Sequence, residues 1–386
     1  DGGNNQRTFL ELNKAKNYED YVNALKHWNA PAQNFVFASV EGDIALWIQG
    51  KFANKWEGQG QFLMDGSNPE NDWQSYIPQE FNAHIKNPER GFVSSANQRP
   101  VDASYPYYVL NDRYETYRNR VINDFFKSKE KFSVDDFKAL HNNNYNLKAS
   151  ELVPYMLSHM DTSNLTDEEK AIFEEIKGWN FNNDIEEVGP GIWRQWYGKL
   201  YYLLWDEFDN KDVALAYPST YQTIYLLKNF GDHQFMDIKG TEDKTETAKD
   251  LFLISFKKAV EELVEIKEEK GDYKWDTYKG TYAGHLLQAL PAFSRFDIPI
   301  GGGRNIVNAT SENHGPSWRM IVEMSSPPTA LGIYPGGQSG NPGSRYYDNF
   351  IDDWAAGEYK SLNFLQSVNE TQSITGTLIL IPAHDE

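Results

Sequence analysis

Apolar and polar positions alternate along this chain in two regimes, a strand-like one at both ends and a helical one between them. Tyr18, Tyr21, Val22, Leu25 and Trp28 recur at three- and four-residue spacing, which predicts a helix over 17–28 with Asn17 as its cap. Two apolar runs then flank Glu41-Gly42-Asp43, and that turn chemistry predicts a hairpin across 34–49. Residues 51–88 are rich in Gly, Pro and aromatic side chains and read as a long ordered loop of the kind that lines sites.

From Ser133 to about Pro291 the period becomes helical, with segments at 133–140, 151–160, 166–179, 191–208 and 248–269. Ser133 and Thr166 are each followed three residues on by Asp136 and Glu169, close to a capping box. Strand character returns at 317–324, 330–334 and 376–381. Sheet, then helices, then sheet is an α+β order. With no internal repeat or linker, the chain reads as a single domain segment over 1–386. Strands and site loops fill 1–132, a mainly helical layer 133–300, and returning strands with a C-terminal loop 301–386.

Between the two regimes lies Gly91-Phe-Val-Ser-Ser-Ala-Asn97. It is small and apolar enough for a buried strand ending at Asn97, after which Pro100 and Pro106 break the chain. A helix opening at Asp112 and carrying Arg113, Arg118 and Arg120 is expected next. An amide N–H donor at a strand end, with a guanidinium to hold its neighbours, suits chemistry that develops an oxyanion. By itself the pattern also fits a turn asparagine beside a solvated helix face.

Composition narrows the classes. Across 386 residues, Lys+Arg 37 against Asp+Glu 56 leaves a net charge of −19, which repels phosphate backbones and sets nucleic-acid binding aside. Aromatic residues at 15% argue for a packed body rather than a solvating one. The absence of Cys removes disulfides, thiol nucleophiles and thiolate metal sites. No apolar run approaches the ~18 residues a membrane span requires. The opening Asp-Gly-Gly-Asn-Asn, without an initiator Met, reads as the start of a processed or trimmed product.

Other motifs have plainer readings. Gly301-Gly302-Gly303-Arg304 lacks the Gly-Lys-Ser/Thr of a phosphate loop. Asp348, Asp352 and Asp353 could gather a hard cation but suit an acidic surface better. His314 and Ser317 lack a Gly-x-Ser-x-Gly elbow. Asn164, Asn308 and Asn369 fit the glycosylation pattern at a frequency an Asn-rich chain produces by chance. Ser67, if a cut preceded it, could use its own α-amino group as base.

Longer stretches resemble the penicillin acylases among the N-terminal nucleophile hydrolases. They are Gln33-Asn-Phe-Val-Phe-Ala-Ser-Val-Glu-Gly-Asp-Ile-Ala, Trp73-Gln-Ser-Tyr-Ile-Pro and Asn87-Pro-Glu-Arg-Gly-Phe-Val-Ser-Ser-Ala-Asn97. Tyr105-Pro106 with Arg118, His314-Gly-Pro-Ser-Trp-Arg-Met-Ile-Val-Glu, Gly332-Ile-Tyr-Pro-Gly-Gly-Gln-Ser-Gly-Asn-Pro-Gly-Ser and Trp354-Ala-Ala-Gly-Glu-Tyr-Lys-Ser-Leu-Asn-Phe follow in family order. The resemblance implies a four-layer αββα sandwich with a large helical insertion, of which this chain supplies part. It implies a precursor cut into α and β chains, periplasmic or secreted, that hydrolyses the amide of a small N-acyl compound such as a β-lactam or an acyl-homoserine lactone. By the same resemblance the nucleophile is a serine opening the β chain, upstream of the hairpin and away from Ser67. The partners of this chain are then the α chain and the N-terminal β segment.

Carried over residue by residue, the catalytic candidates are Asn97, as an oxyanion-hole amide, and Arg118, which orients the site around it, with Gln33 at the acyl pocket. No cofactor is implied for catalysis. A structural calcium stays open: the family's ligands come partly from upstream sequence, and near Tyr105-Pro106 the needed carboxylate is displaced to Asn111-Asp112. The competing reading is a non-catalytic binding or scaffold subunit that retains the acylase fold.

Overall fold

The computed structural model describes the chain except residues 1–3, 110–113, 210–212, 214, 288, 368, 371–373, 375, 380 and 382–386. Its first body is a three-stranded antiparallel sheet in the order β1 (Gln33–Ala38), β2 (Ile44–Gln49), β3 (His84–Lys86), with α1 (Asn5–Leu12) and α2 (Tyr18–Leu25) against it. The register pairs Gln33 with Gln49 and Ala38 with Ile44 around the expected turn, where Gly42 takes φ 96°. Asn17 caps α2 by accepting from the Asp20 N–H at 2.9 Å. Tyr21 and Leu25 bury against Trp47, and the Tyr21 hydroxyl donates to the Phe35 carbonyl at 2.8 Å, which fastens helix to sheet.

The helical layer follows: α3 (Tyr117–Lys127), α4 (Val134–His141), α5 (Leu147–His159), α6 (Asp167–Gly178), α7 (Gly189–Leu204), α8 (Thr220–Asn229), α9 (Ala248–Lys270) and α10 (Trp275–Lys279). Capping boxes open α4 at Ser133 and α6 at Thr166. The largest core forms where α5, α6, α7 and α9 meet, around Leu152, Met156, Ile176, Trp196, Leu200 and Phe256. Trp196 there donates its indole N–H to the Phe252 carbonyl at 3.0 Å, so its one polar atom is satisfied in an apolar site.

A second antiparallel sheet returns as β4 (Arg319–Glu323), β5 (Thr329–Ile333) and β6 (Lys360–Leu362), with α11 (Ile351–Ala356) packed on it through Ile333, Ile351 and Trp354. His141, at the end of α4, joins the two bodies by a 2.7 Å hydrogen bond to the Tyr359 hydroxyl. Burial, aided by the Arg319 cation, pulls its pKa down to about 4 from the 6.5 of an exposed imidazole. The folded state therefore refuses a proton that the unfolded chain accepts below pH 6.5. Stability is expected to fall as pH drops from about 6.5 to about 4, by up to ~3 kcal/mol from this group. Urea unfolding across that window should show the slope in the native chain, and a shallower one in His141→Asn.

Two expected strands do not form among the described residues. Gly91–Ala96 makes no ladder among the described residues. Gln98 instead takes its polar groups, its Oε1 accepting from the Ala96 N–H at 2.7 Å and its Nε2 donating to the Ser94 carbonyl at 3.4 Å. The described residues of 376–381 are likewise unpaired, and Leu378, Ile379 and Ile381 are exposed. The helix expected from Asp112 begins at Tyr117, while Asp112 and Arg113 lie outside the described residues.

The Gly301–Gly303 run is buried and packed, and two of its N–H groups have backbone partners. Gly302 donates to the Asn183 carbonyl at 2.9 Å and Gly303 to that of Asn308 at 3.1 Å, so neither N–H is left to cradle a phosphate. Lys279, itself buried, donates to the carbonyls of Ile300 (2.5 Å) and Gly301 (2.9 Å) and to the Thr310 hydroxyl (3.0 Å). Asn308 is buried too, donating to Asn144 Oδ1 at 3.0 Å and accepting from Arg319 at 2.8 Å, so the folded chain cannot carry a glycan there. Asp348 and Asp352 both hold Arg295 at 2.8 Å, and Asp353 pairs with Lys360 at 2.5 Å, which accounts for that acidic cluster.

Candidate active site

α3 lies along the loop that carries Asn97 and holds it through side chains. Phe92 stacks on Phe126 with centroids 4.9 Å apart. The Ser94 hydroxyl donates to Asn123 Oδ1 at 3.0 Å and accepts from Asn119 Nδ2 at 3.3 Å, and Asn123 in turn donates to Asn119 at 2.8 Å. Ser94, Asn119 and Asn123 thus form a closed ring of polar groups between loop and helix, with one turn of α3 separating the two amides.

At the start of the same helix, Arg118 Nη2 donates to Asn97 Oδ1 at 2.5 Å. Asparagine tolerates the left-handed backbone this position requires, φ 62°, better than most residues. Donation to Oδ1 fixes which end of the amide faces the guanidinium, so Nδ2 is left as the outward donor. Charge on the donor also polarises the amide, and that makes the Nδ2 hydrogens stronger donors. Burial lowers the Arg118 pKa from its usual value, with the Glu115 carboxylate opposing the shift. The guanidinium stays charged at any pH a folded protein meets.

Asn97 opens onto a cavity of ≈ 550 Å³, within the range of small-molecule sites. Its walls include Ile48 from β2, Phe52, Trp73 and Ile77 from the turn-rich loop, and Val101 and Tyr105 beyond Asn97. The loop is stiffened from within by Gln59, a buried side chain whose Nε2 donates to the Asn71 carbonyl at 3.0 Å. Gln33 is exposed at the start of β1, between Ala32 and Asn34, both of which line the cavity while Gln33 does not. An apolar chamber with one oriented amide donor at its edge can bind a hydrophobic acyl group and stabilise an oxygen anion beside it.

Nothing joins the other candidates into a site. His314 and Ser317 are exposed with no hydrogen bond between them. Ser67 donates to Asp65 at 2.7 Å in an exposed turn. Among the described residues no three His, Asp or Glu side chains cluster as metal ligands. Of the calcium candidates, Asn111 and Asp112 lie outside those residues, and the Tyr105 hydroxyl donates to the Phe81 carbonyl at 2.9 Å. Among the described residues no calcium cage is composed. Sequence reasoning missed Ser94, Asn119, Asn123 and Gln98, whose small-polar spacing carries no signal until the helix is laid beside the loop.

The chain is 25% identical over 419 residues to an acyl-homoserine lactone acylase, QuiP, of Pseudomonas fluorescens strain Pf-5, covering 97% of this chain and 49% of that protein. It is 27% identical over 118 residues to the penicillin acylase 2 proenzyme of Pseudomonas sp. strain SE83, covering 31% of this chain and 15% of that one. It spans about half the length of the acyl-homoserine lactone acylases it matches. Its fold follows a thermostable penicillin G acylase from Alcaligenes faecalis with a TM-score of 0.62 at 13% identity, over 100% of this chain and 74% of that one. That neighbour has the N-terminal nucleophile hydrolase fold, and the mixed α+β layers described above agree with it. The penicillin amidase family model matches residues 1–370, the sheets, the helical layer and the Asn97 loop together, and the chain belongs to that family.

Proposed function

We propose that this chain is the downstream part of the β chain of an N-terminal-serine amidohydrolase that cleaves small N-acyl compounds, acyl-homoserine lactones or β-lactams among them. The observation that carries the proposal is the Arg118–Asn97 pair at the mouth of an apolar cavity. Family membership supplies the hydrolytic class.

In this reading the serine Oγ attacks the amide carbonyl while its own α-amino group takes the proton. Asn97 Nδ2 and backbone N–H groups hold the resulting oxyanion. Collapse breaks the C–N bond as the proton passes to the leaving amine, and water then attacks the acyl ester to release the acid and restore the serine. Arg118 positions Asn97 and touches no reacting atom. The acyl chain lies against Ile48, Phe52, Trp73 and Ile77, with Gln33 between two cavity-lining residues. The nucleophile-bearing segment and the α chain come from the same precursor, in a periplasmic or secreted setting.

The test is amine release from an N-acyl homoserine lactone and from a β-lactam by the full-length gene product. Release of free amine with either substrate supports the proposal. A folded, processed product that releases amine from neither substrate overturns it and favours a scaffold that keeps the fold.

A further inference from the structure

A second cleft, of ≈ 610 Å³, shares no lining residue with the Asn97 cavity among the described residues. It lies among α5, α7, α10 and the segment after Gly303, and Lys148, Arg194 and Arg304 face it together. In a chain with a net charge of −19, three cations converge there, with Glu115 the only acidic residue among the described residues of its lining. None of the three forms an ion pair among the described residues. Aromatic rings make up much of the remaining wall: Trp193, Tyr197 and Tyr202 on α7, Trp275 and Tyr278 on α10. Lys148 Nζ sits 4.2 Å from the Tyr197 ring centroid and 5.8 Å from that of Trp193.

Arginines at a rim with flat rings behind them match one ligand chemistry. The guanidinium forks pair with a carboxylate in two parallel hydrogen bonds, and the rings take a planar apolar body. We propose that this cleft is a second small-molecule site that binds aromatic carboxylates through Arg194, Arg304 and Lys148. The proposal stands apart from the amidohydrolase reading, since its residues take no part in that chemistry. Dense packing around the Lys148 ammonium pulls its pKa down to about 8, with Arg194 and Arg304 pushing the same way and Glu115 opposing. A bound carboxylate reverses that push, so binding near pH 8 draws a proton onto Lys148.

Calorimetry of the full-length product with 2-naphthoate, at pH 8 in two buffers of different ionisation enthalpy, tests this. Binding should be saturable, take up a fraction of a proton, and weaken at least tenfold in Arg194→Gln/Arg304→Gln. Both arginines are exposed, so the fold survives their change. Proton uptake should vanish in Lys148→Met, while 2-naphthamide should bind at least tenfold more weakly than the acid. Equal binding of the amide, an unchanged Kd in the double variant, or inorganic phosphate binding as tightly as naphthoate would each overturn the assignment.

Discussion

Replacing Asn97 with Ala is expected to lower turnover of an N-acyl substrate by roughly 10²–10³, the effect of removing one oxyanion donor, with little change in KM. The reason is geometric. Arg118 holds Oδ1 at 2.5 Å, so Nδ2 is the amide end left to meet a developing anion. Alanine at φ 62° also carries a backbone penalty, on the order of 1–2 kcal/mol. Asn97→Gly separates the two effects, because glycine accepts that backbone without strain and still lacks the amide. Asn97→Gly should lose as much turnover as Asn97→Ala while melting at or above the native temperature. Asn97→Asp should pair with Arg118 yet donate nothing, and should be as inactive as the alanine variant.

The second large effect is on stability. Gly302→Ala should destabilise the fold by about 3–5 kcal/mol or prevent folding. A Cβ at residue 302 would lie 2.0 Å from the Asn308 carbonyl oxygen, a backbone atom that cannot rotate away, at a φ of +81° that disfavours any side chain. Asn308 in turn holds Asn144 and Arg319, so the strain spreads to both bodies. Gly340→Ala is the matched control, with nothing within 4 Å of its Cβ, and should be near neutral in the same urea titration. A mild Gly302→Ala variant would mean that the run Gly301–Gly303 is looser than its packing indicates.

What could be read from the sequence divides along the range of the interactions. Asn17, Ser133 and Thr166 cap the helices they were expected to cap, because a cap is decided within four residues. The hairpin at Gly42 was legible for the same reason. α1 was not. Only Phe9, Leu10 and Leu12 are apolar in it, and it is tied down by Asn5, whose amide donates to the Ala30 carbonyl at 2.5 Å, a contact 25 residues away. β3 hides in the turn-rich loop because it is three residues long and is fixed by Asn87, which donates to Asp43 at 2.6 Å and accepts from the Ile44 N–H at 2.8 Å.

The strand expected at 91–96 failed for the opposite reason. Its residues suit a ladder, but the side chain of Gln98 and the face of α3 claim them first. In the candidate site, Asn97 and Arg118 were named from a family resemblance, 21 positions apart. Their hydrogen bond depends on where α3 lies against the loop, which no local spacing encodes. The cationic cleft left no trace in the sequence at all. Lys148, Arg194 and Arg304 are separated by more than 40 residues each and meet only once the helical layer is packed.

The central claim is that this chain completes a site whose nucleophile is the N-terminal serine of the β chain to which it belongs. The most direct measurement is mass spectrometry of the full-length product after reaction with a sulfonyl fluoride. The account predicts one sulfonyl adduct on the first residue, a serine, of a fragment that begins upstream of Asp1. An adduct confined to residues 1–386, or an unlabelled product that still hydrolyses the amide, would contradict it.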